Sequence, residues 1–369
     1  MDLKMLVLSQ IDGCVITSEN GVKLYTPDGR GNYRALWTRD FYYMLENAAE
    51  LIPLDDIRSC LEYIYSHARE ADGWIPDRVD AHGVARYTAG NFDEVGIAQA
   101  NLDNNAFAVL CASEYLKRIN RDEAKAFLDR WQKCLMKALY AVPTGDNGLV
   151  YNDPSFPHSP YGFTDCICKT GYLAMESLLL WRAFCAAAEW GDTGCLAAAR
   201  KIETGFEAAF FPDGDPLPVA ATIDCRQRDI WAACYALYIG FPFSAARRKA
   251  LRIALSEQYA DFTQSGQIRH MPIGQYWDRL LVDVPRGEYQ NGAYWATPVM
   301  WFTQAILPDD PSLAQHNLNE MLADFEKAGC CECINGAYRK LPDYVASAAA
   351  AYGAEKAIKA FSCRTFDRE

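Results

Sequence analysis

The stretch 34-RALWTRDFYYM-44 places an aromatic ring, a cation and a carboxylate (Trp37, Arg39 and Asp40) directly ahead of Phe41-Tyr42-Tyr43-Met44. Charged side chains are rarely buried unless paired, yet residues 41–51 are apolar nearly all round and read as a core helix. Taken alone, Arg39 and Asp40 are a salt-bridged helix cap. The same juxtaposition returns at "LDNN" (102–105), "GFTD" (162–165), "RDIW" (228–231), "GEYQNG" (287–292) and "LPDY" (341–344). The acids Asp40, Asp103, Asp165, Asp229, Glu288 and Asp343 recur at intervals of 55 to 64 residues, which is an internal repeat.

Each cluster opens a segment without a polar face: 41–51, 106–117, 166–189, 230–240, 293–306 and 344–360. Between them lie amphipathic segments. In 121–139, Phe127, Leu128, Trp131, Cys134, Leu135, Ala138 and Leu139 form one stripe of 3.6-residue period. Segments 53–69, 192–211, 243–259 and 311–328 are similar. Apolar helices are buried and amphipathic ones cover them. The pattern therefore predicts an all-α fold, an (α/α)6 toroid of six inner and about six outer helices, with the inner N-termini opening on one end. Short β pieces are expected near 3–9, 14–25, 218–224, 266–271 and 330–339, the last with an Asn335-Gly336 hairpin turn. Residues 1–33 then form a short N-terminal β segment. No linker or low-complexity tract interrupts the chain, so 1–369 is expected to be a single domain.

Composition narrows the function. The chain is 50% hydrophobic, enough for a large core, and its net charge of −12 is spread without a basic cluster. Nucleic-acid binding, which depends on neutralising phosphates, is not expected. No stretch of about 20 uncharged apolar residues is present to span a membrane. The opening 21 residues lack a basic n-region and a cleavage site. With 14 scattered cysteines, many in helical segments, this implies a reduced cytoplasmic protein using Cys as a small hydrophobe. Neither Cys166/Cys168 nor "CCEC" (330–333) has zinc-ligand spacing, and the five histidines are scattered, so no metal is expected.

Aspartates before helices are often N-caps. Capping does not explain the Trp, Tyr, Arg and Asn that accompany them at six successive starts. A ring of carboxylates, amides and aromatic faces around one cavity is what a sugar needs: its hydroxyls take fixed donors and acceptors, and its apolar face packs on rings. Concave sites with a few convergent polar groups are the usual ligand sites. A small carbohydrate is therefore the expected partner; the oligomeric state is left open.

The segments "LWTRDF" (36–41), "EYQNGAYW" (288–295) and "ECINGAYRKLPDYVASAAAA" (332–350) resemble those of the six-hairpin α/α-toroid glycosidases, especially the glucoamylase, trehalase and processing α-glucosidase families. The resemblance implies that Arg39 and Asp40 bind the sugar at the −1 subsite, the position on the non-reducing side of the scissile bond. It implies that Asp165, ahead of the third inner helix, is the general acid. It implies that Glu332, ahead of the sixth, is the general base, with Glu288 as its rival. Gln290 and Asn291 would hydrogen-bond hydroxyls alongside Glu288. Trp37, Trp231, Tyr289, Tyr294, Trp295 and Tyr344 are candidate stacking platforms or plain core. Asp103, Asn104, Asn105, Arg228 and Asp229 are further cavity candidates. The loop "DGWIPDRVD" (72–80) would shape the rim through Trp74 and Arg78.

The resulting expectation is an exo-acting glycoside hydrolase, inverting, acting on a small glycoside or oligosaccharide. It would need no cofactor, since two carboxylates suffice. Three alternatives stand beside it. One is a sugar epimerase on the same toroid, which depends on histidines near inner-helix starts, where this chain has none. The others are an unsaturated-uronide hydrolase and a non-catalytic carbohydrate-binding protein.

Overall fold

The computed structural model describes residues 1–88, 90 and 99–366. Its helices, in chain order, are α1 (Leu3–Gly13), α2 (Thr38–Ala48), α3 (Leu54–Tyr65), α4 (Asn104–Leu116), α5 (Arg121–Ala141), α6 (Ala174–Ala188), α7 (Thr193–Phe210), α8 (Ile230–Tyr238), α9 (Ala245–Glu257), the single turn α10 (Tyr259–Phe262), α11 (Val299–Ile306), α12 (Pro311–Ala328) and α13 (Val345–Phe366). The apolar helices pack in a cycle: α2 on α4, then α6, α8, α11 and α13, which returns to α2. Amphipathic helices cover five of the six: α3 and α5 lie against α4, α7 against α6, α9 against α8, α12 against α11 and α1 against α13. The cycle closes through Gly353, where a Cβ would come within 2.2 Å of Asn47 Oδ1. Only glycine permits that approach of α13 to α2.

The amphipathic helices start where capping chemistry dictates. Asn120 and Glu123 form a capping box on α5, and Asp310 caps α12 with Pro311 in its first turn. Inner helices pass to outer ones through short turns, 49–53, 117–120, 189–192, 239–244 and 307–310. Short turns make antiparallel neighbours. The return connections are longer and carry the small sheets, so they gather at the N-terminal end of the inner helices. Bridges knit them together: Asp28 to Tyr344, Leu173 to Ala221 and Ile167 to Leu280. A five-stranded antiparallel sheet adds 263–264, 267–268, 294–295, 333–335 and 338–340. Toward the opposite end, Glu46 Oε1 accepts from Arg182 Nη1 at 2.6 Å, the Tyr42 hydroxyl at 2.7 Å and the Tyr238 hydroxyl at 2.9 Å. One buried carboxylate thus ties α2, α6 and α8 together.

The structure corrects the sequence reading in four places. Residues 3–9, read as a strand, belong to helix α1: Asp2 caps it, and Leu3, Val7 and Ile11 form its buried stripe. The helix expected from 166 begins at Ala174, because Cys166 and Cys168 bond to the 279–282 segment instead. The helix expected from 293 begins at Val299, since Tyr294 and Trp295 pair with Ile334 and Cys333. The last hairpin turns at Gly336-Ala337, because Asn335 is still paired with Tyr338. No helix among the described residues is long and apolar enough to cross a membrane.

Candidate active site

Arg39 answers the question its own segment raises. It is 4% exposed, and its guanidinium is shared between Asp103 (Nη1–Oδ2, 3.1 Å) and Asp77 (Nη2–Oδ1, 3.3 Å). Asp103 stands at the N-cap position of α4 but makes no side-chain cap; Oδ2 accepts from the Gly162 amide at 2.8 Å. The guanidinium packs directly on the Gly162 backbone, where a Cβ would lie 1.6 Å from Cζ. Arg39 therefore clamps the loop before Asp165 against α2 and α4. Asp40, in the first turn of α2, accepts a short hydrogen bond from the Tyr344 hydroxyl. Burial raises its pKa to about 6, against the opposing pull of Arg39 and Tyr344.

Asp165 follows the 3-10 turn Gly162–Thr164 and lies well ahead of α6, outside the reach of that helix's dipole. Burial raises its pKa to about 7, opposed by Arg39 and Gln290. Lys169, which at one helical turn's distance would oppose that rise, points elsewhere: its ammonium is 2.7 Å from Glu176 in a fully buried pair. Gln290 Nε2 donates to Asp165 Oδ1 at 2.7 Å and to the Gly162 carbonyl at 3.0 Å, while Oε1 accepts from the Cys166 amide at 2.8 Å.

Glu332 is not an exposed hairpin residue. It is 2% exposed, and its amide donates back across the hairpin to Lys340 O at 2.8 Å. The Tyr33 hydroxyl donates to Oε1 at 2.9 Å. Lys340 Nζ lies 2.9 Å from Oε2 as an ion pair, in a geometry that leaves Oε2 without a hydrogen bond among the described residues. Burial raises the Glu332 pKa, and Lys340 and Tyr33 work against it.

Asp165 and Glu332 line one inner cavity together with Arg39, Asp40, Tyr344, Phe163, Tyr33, Trp37 and Tyr289. Its volume is about 20 Å³, against the roughly 10–15 Å³ that a single water requires. Above it opens a chamber of about 580 Å³ that shares Asp165, Tyr33, Trp37 and Tyr289 with the inner cavity. Tyr289 holds its place with a left-handed φ of 40° and its ring 3.5 Å from Lys340 Nζ.

Other expected site residues lie elsewhere. Glu288 is exposed and lines neither cavity, because the turn at 288–291 sends Gln290 inward in its place. Asn291 braces loops, accepting from the Trp277 amide and donating to Val284 O. Asn104 and Asn105 do the same for residues 73–87 and 138. Asp229 is an N-cap, accepting from the Ala232 amide at 2.9 Å, and Arg228 forms a half-exposed pair with Asp215. Trp231 and Trp295 are fully buried core, Trp231 stacked at 3.8 Å on His270, and Tyr294 lies on the sheet beside Arg269. The residues that sequence reasoning left out are Tyr33, Asp77, Gly162, Phe163 and Lys340. Lys340 and Asp77 stand inside quoted motifs; Tyr33 carries no local signal. No group of three or more His, Cys, Asp or Glu among the described residues could hold a metal.

No protein-family profile and no curated protein sequence matches the chain. Solved structures share its fold. A GH63 mannosylglycerate hydrolase from Thermus thermophilus in complex with glucose aligns with TM-score 0.67 at 14% identity, over 95% of this chain and 99% of the other. A glucoamylase from Saccharomycopsis fibuligera aligns with TM-score 0.61 at 12% identity, over 98% and 94%. A rhamnosidase from Klebsiella oxytoca with rhamnose bound gives 0.67 at 14% identity; this chain spans 95% of itself and 62% of that enzyme. The likeness read from the WTRD and EYQNGAYW segments holds at the level of fold, and a glucoamylase is among the neighbours.

Proposed function

We propose that the cycle of six inner helices is an (α/α)6 toroid forming one catalytic domain, and that the chain is an exo-acting, inverting glycoside hydrolase of small, α-linked glycosides. The observation that carries this reading is the pairing of Asp165 and Glu332 on one water-sized cavity at the floor of an open chamber. The fold neighbours, among them a mannosylglycerate hydrolase, a glucoamylase and a rhamnosidase, support the reaction class.

The division of labour follows from the partners of each carboxyl. Asp165, raised to about 7, is the group that stays protonated near neutrality. Gln290 donates to Oδ1, which leaves Oδ2 to carry the proton toward the glycosidic oxygen. Glu332 has a cation and a hydroxyl beside it, which favour its charged form against burial. Its Oε2 is the acceptor for a water held in the inner cavity. Water attacks the anomeric carbon while the C–O bond to the leaving group breaks. Asp165 gives its proton to that oxygen, and Glu332 takes one from the water. Asp40 and Tyr344 grip the terminal sugar, and Trp37 and Tyr289 wall it. Inversion implies a carboxyl separation of about 6.5–9.5 Å with the water between.

The test is a screen of aryl glycosides and disaccharides against the wild type, Asp165→Asn, Glu332→Gln and Glu288→Gln. The first two variants lose activity by about 10²–10⁴-fold, and Glu288→Gln keeps it. Full activity in Asp165→Asn on a substrate that needs acid assistance sinks the assignment.

A further inference from the structure

Asp28 is a buried carboxylate, 1% exposed, that lines neither cavity. Its partners are close in sequence and neutral. Oδ1 accepts from the Arg30 amide at 2.9 Å, the Asn32 amide at 3.1 Å and Asn32 Nδ2 at 3.0 Å. Oδ2 accepts from the Tyr33 amide at 2.8 Å. No ion pair to Asp28 is formed among the described residues, and Arg30 turns its guanidinium to Asp343 instead. A buried charge needs compensation, and here the backbone of the next five residues supplies it by wrapping around the acid. The base of this loop is tied to the head of α13, through a bridge from Asp28 to Tyr344 and a bond from the Val345 amide to Pro27 O at 2.9 Å. What the loop presents is Tyr33. Its hydroxyl accepts from Lys340 Nζ at 3.0 Å and donates to Glu332 Oε1 at 2.9 Å. An ammonium only donates, so with Lys340 on the hydroxyl oxygen the phenolic proton points at Glu332.

We propose that Asp28 is a positioning residue of the general base: it holds the Tyr33 backbone so that the hydroxyl donates to Glu332 Oε1 and leaves Oε2 to face the attacking water. The inference rests on the reading of Glu332 as that base. Asp28 acts through Tyr33 and touches neither substrate nor water. Glu332 faces Lys340 on its own hairpin, Tyr33 and Asp28 on the loop, Asp40 on α2, Tyr344 ahead of α13, and Tyr289. The charge of Asp28 raises the Glu332 pKa, whereas the bond from Tyr33 lowers it. The two routes by which Asp28 could act on the base therefore have opposite signs.

Asp28→Asn separates them. Its one carbonyl oxygen, placed where Oδ1 lies, keeps the bonds from Arg30 and Asn32, and its NH2 then meets the Tyr33 amide donor to donor. Glu332 is followed by carbon-13 NMR of protein labelled at the glutamate carboxyls, with Glu332→Gln assigning the signal. Its titration midpoint rises in Tyr33→Phe and in Asp28→Asn, and rises no further in the double variant. On the acid side of the profile, kcat/KM falls about fivefold in each single variant. A midpoint that falls or stays in Asp28→Asn, or that climbs in the double variant beyond its value in Tyr33→Phe, overturns the proposal; Asp28 then acts as a bare charge or as a brace for the hairpin. If Asp28→Asn does not fold, Asp28→Glu, which keeps the charge and displaces it by a methylene, is read in the same way. If the midpoints move as stated and the acid limb of kcat/KM does not follow them, Asp28 still positions Tyr33, and the assignment of Glu332 as base is what fails. If no glycoside of any sugar is hydrolysed, the hydrolase reading fails, and the NMR midpoints alone decide whether Asp28 holds Tyr33 on Glu332.

Discussion

Gln290 Nε2 donates to Asp165 Oδ1 at 2.7 Å while Gln290 Oε1 accepts from the next residue's amide, Cys166 N, at 2.8 Å. One side chain thereby fixes both the orientation of the acid and the backbone that carries it. Its donated bond favours the charged form of Asp165, so removing it raises that pKa further. Gln290→Ala is expected to move the alkaline limb of kcat/KM to higher pH and to lower kcat. The exposed partners at Gly162 O and Cys166 N cost about 1–3 kcal/mol of stability. A pH–rate profile with a parallel urea titration checks both; an unmoved alkaline limb would refute Gln290 as the positioning residue of the acid.

The raised pKa of Asp165 has a consequence for stability. Its folded value of about 7 lies above the ordinary carboxylate value of 3.8, so between those limits the native state binds the extra proton. The stabilising contribution is full below pH 3.8 and is lost as pH rises through 7. Asp165→Asn removes that loss. Its advantage over the wild type is expected to grow from pH 4 to pH 8, by about 4 kcal/mol. Thermal melts of both proteins across that range provide the measurement, and a pH-independent difference would contradict the assignment.

Arg39 and Gly162 are mutually dependent. A Cβ at 162 would lie 1.6 Å from the guanidinium carbon, so Gly162→Ala must expel Arg39 or the loop. Expulsion leaves Asp103 and Asp77 buried without their cation. Loss of one partner from a buried pair costs about 3–5 kcal/mol, and Gly162→Ala and Arg39→Met are both expected to fall in that range. In a double-mutant cycle the two losses should be strongly non-additive. Additive losses would mean that the contact is not what holds the loop.

These relationships were legible in the sequence to different depths. The helix plan was, because a 3.6-residue stripe and its absence separate outer from inner helices without tertiary information. Helix α1 was not: Leu3, Met5, Leu6, Val7 and Leu8 form an apolar run that suits a strand as well as a helix, and its packing on α13 decides the matter. The start of α6 was missed for a related reason, since Cys166 to Cys168 are apolar enough for a helix but pair with a loop more than 100 residues away, and Gly171 and Tyr172 pair with residues 151–152. Of the six acids read as one repeat, only some act alike. Asp229 caps its helix, Asp343 pairs with Arg30 near the surface, and Asp40, Asp103 and Asp165 turn inward. Their spacing reports the repeat of the fold, whereas their roles depend on partners supplied by other loops. Tyr33 shows this most plainly: nothing in "GNYRAL" marks it, and its contact with Glu332 spans 299 positions.

That contact yields a test of the base. The Tyr33 hydroxyl and the Lys340 ammonium both lower the pKa of Glu332 against the upward push of burial. A general base must be ionised, so its pKa sets the acid limb of the pH–rate profile. Tyr33→Phe removes one donor and leaves the ring in place between Trp37 and Tyr344. The acid limb is expected to move to higher pH while the alkaline limb, which the proposed mechanism gives to Asp165, stays where it was. Lys340→Met should move the acid limb the same way and further, because it removes a full charge 2.9 Å from Oε2. Gln290→Ala moves only the other limb, so the two substitutions assign the two carboxyls independently. If Tyr33→Phe moved the alkaline limb instead, Glu332 and Asp165 would have to exchange roles. If it moved neither, the base would be a group that Tyr33 does not touch.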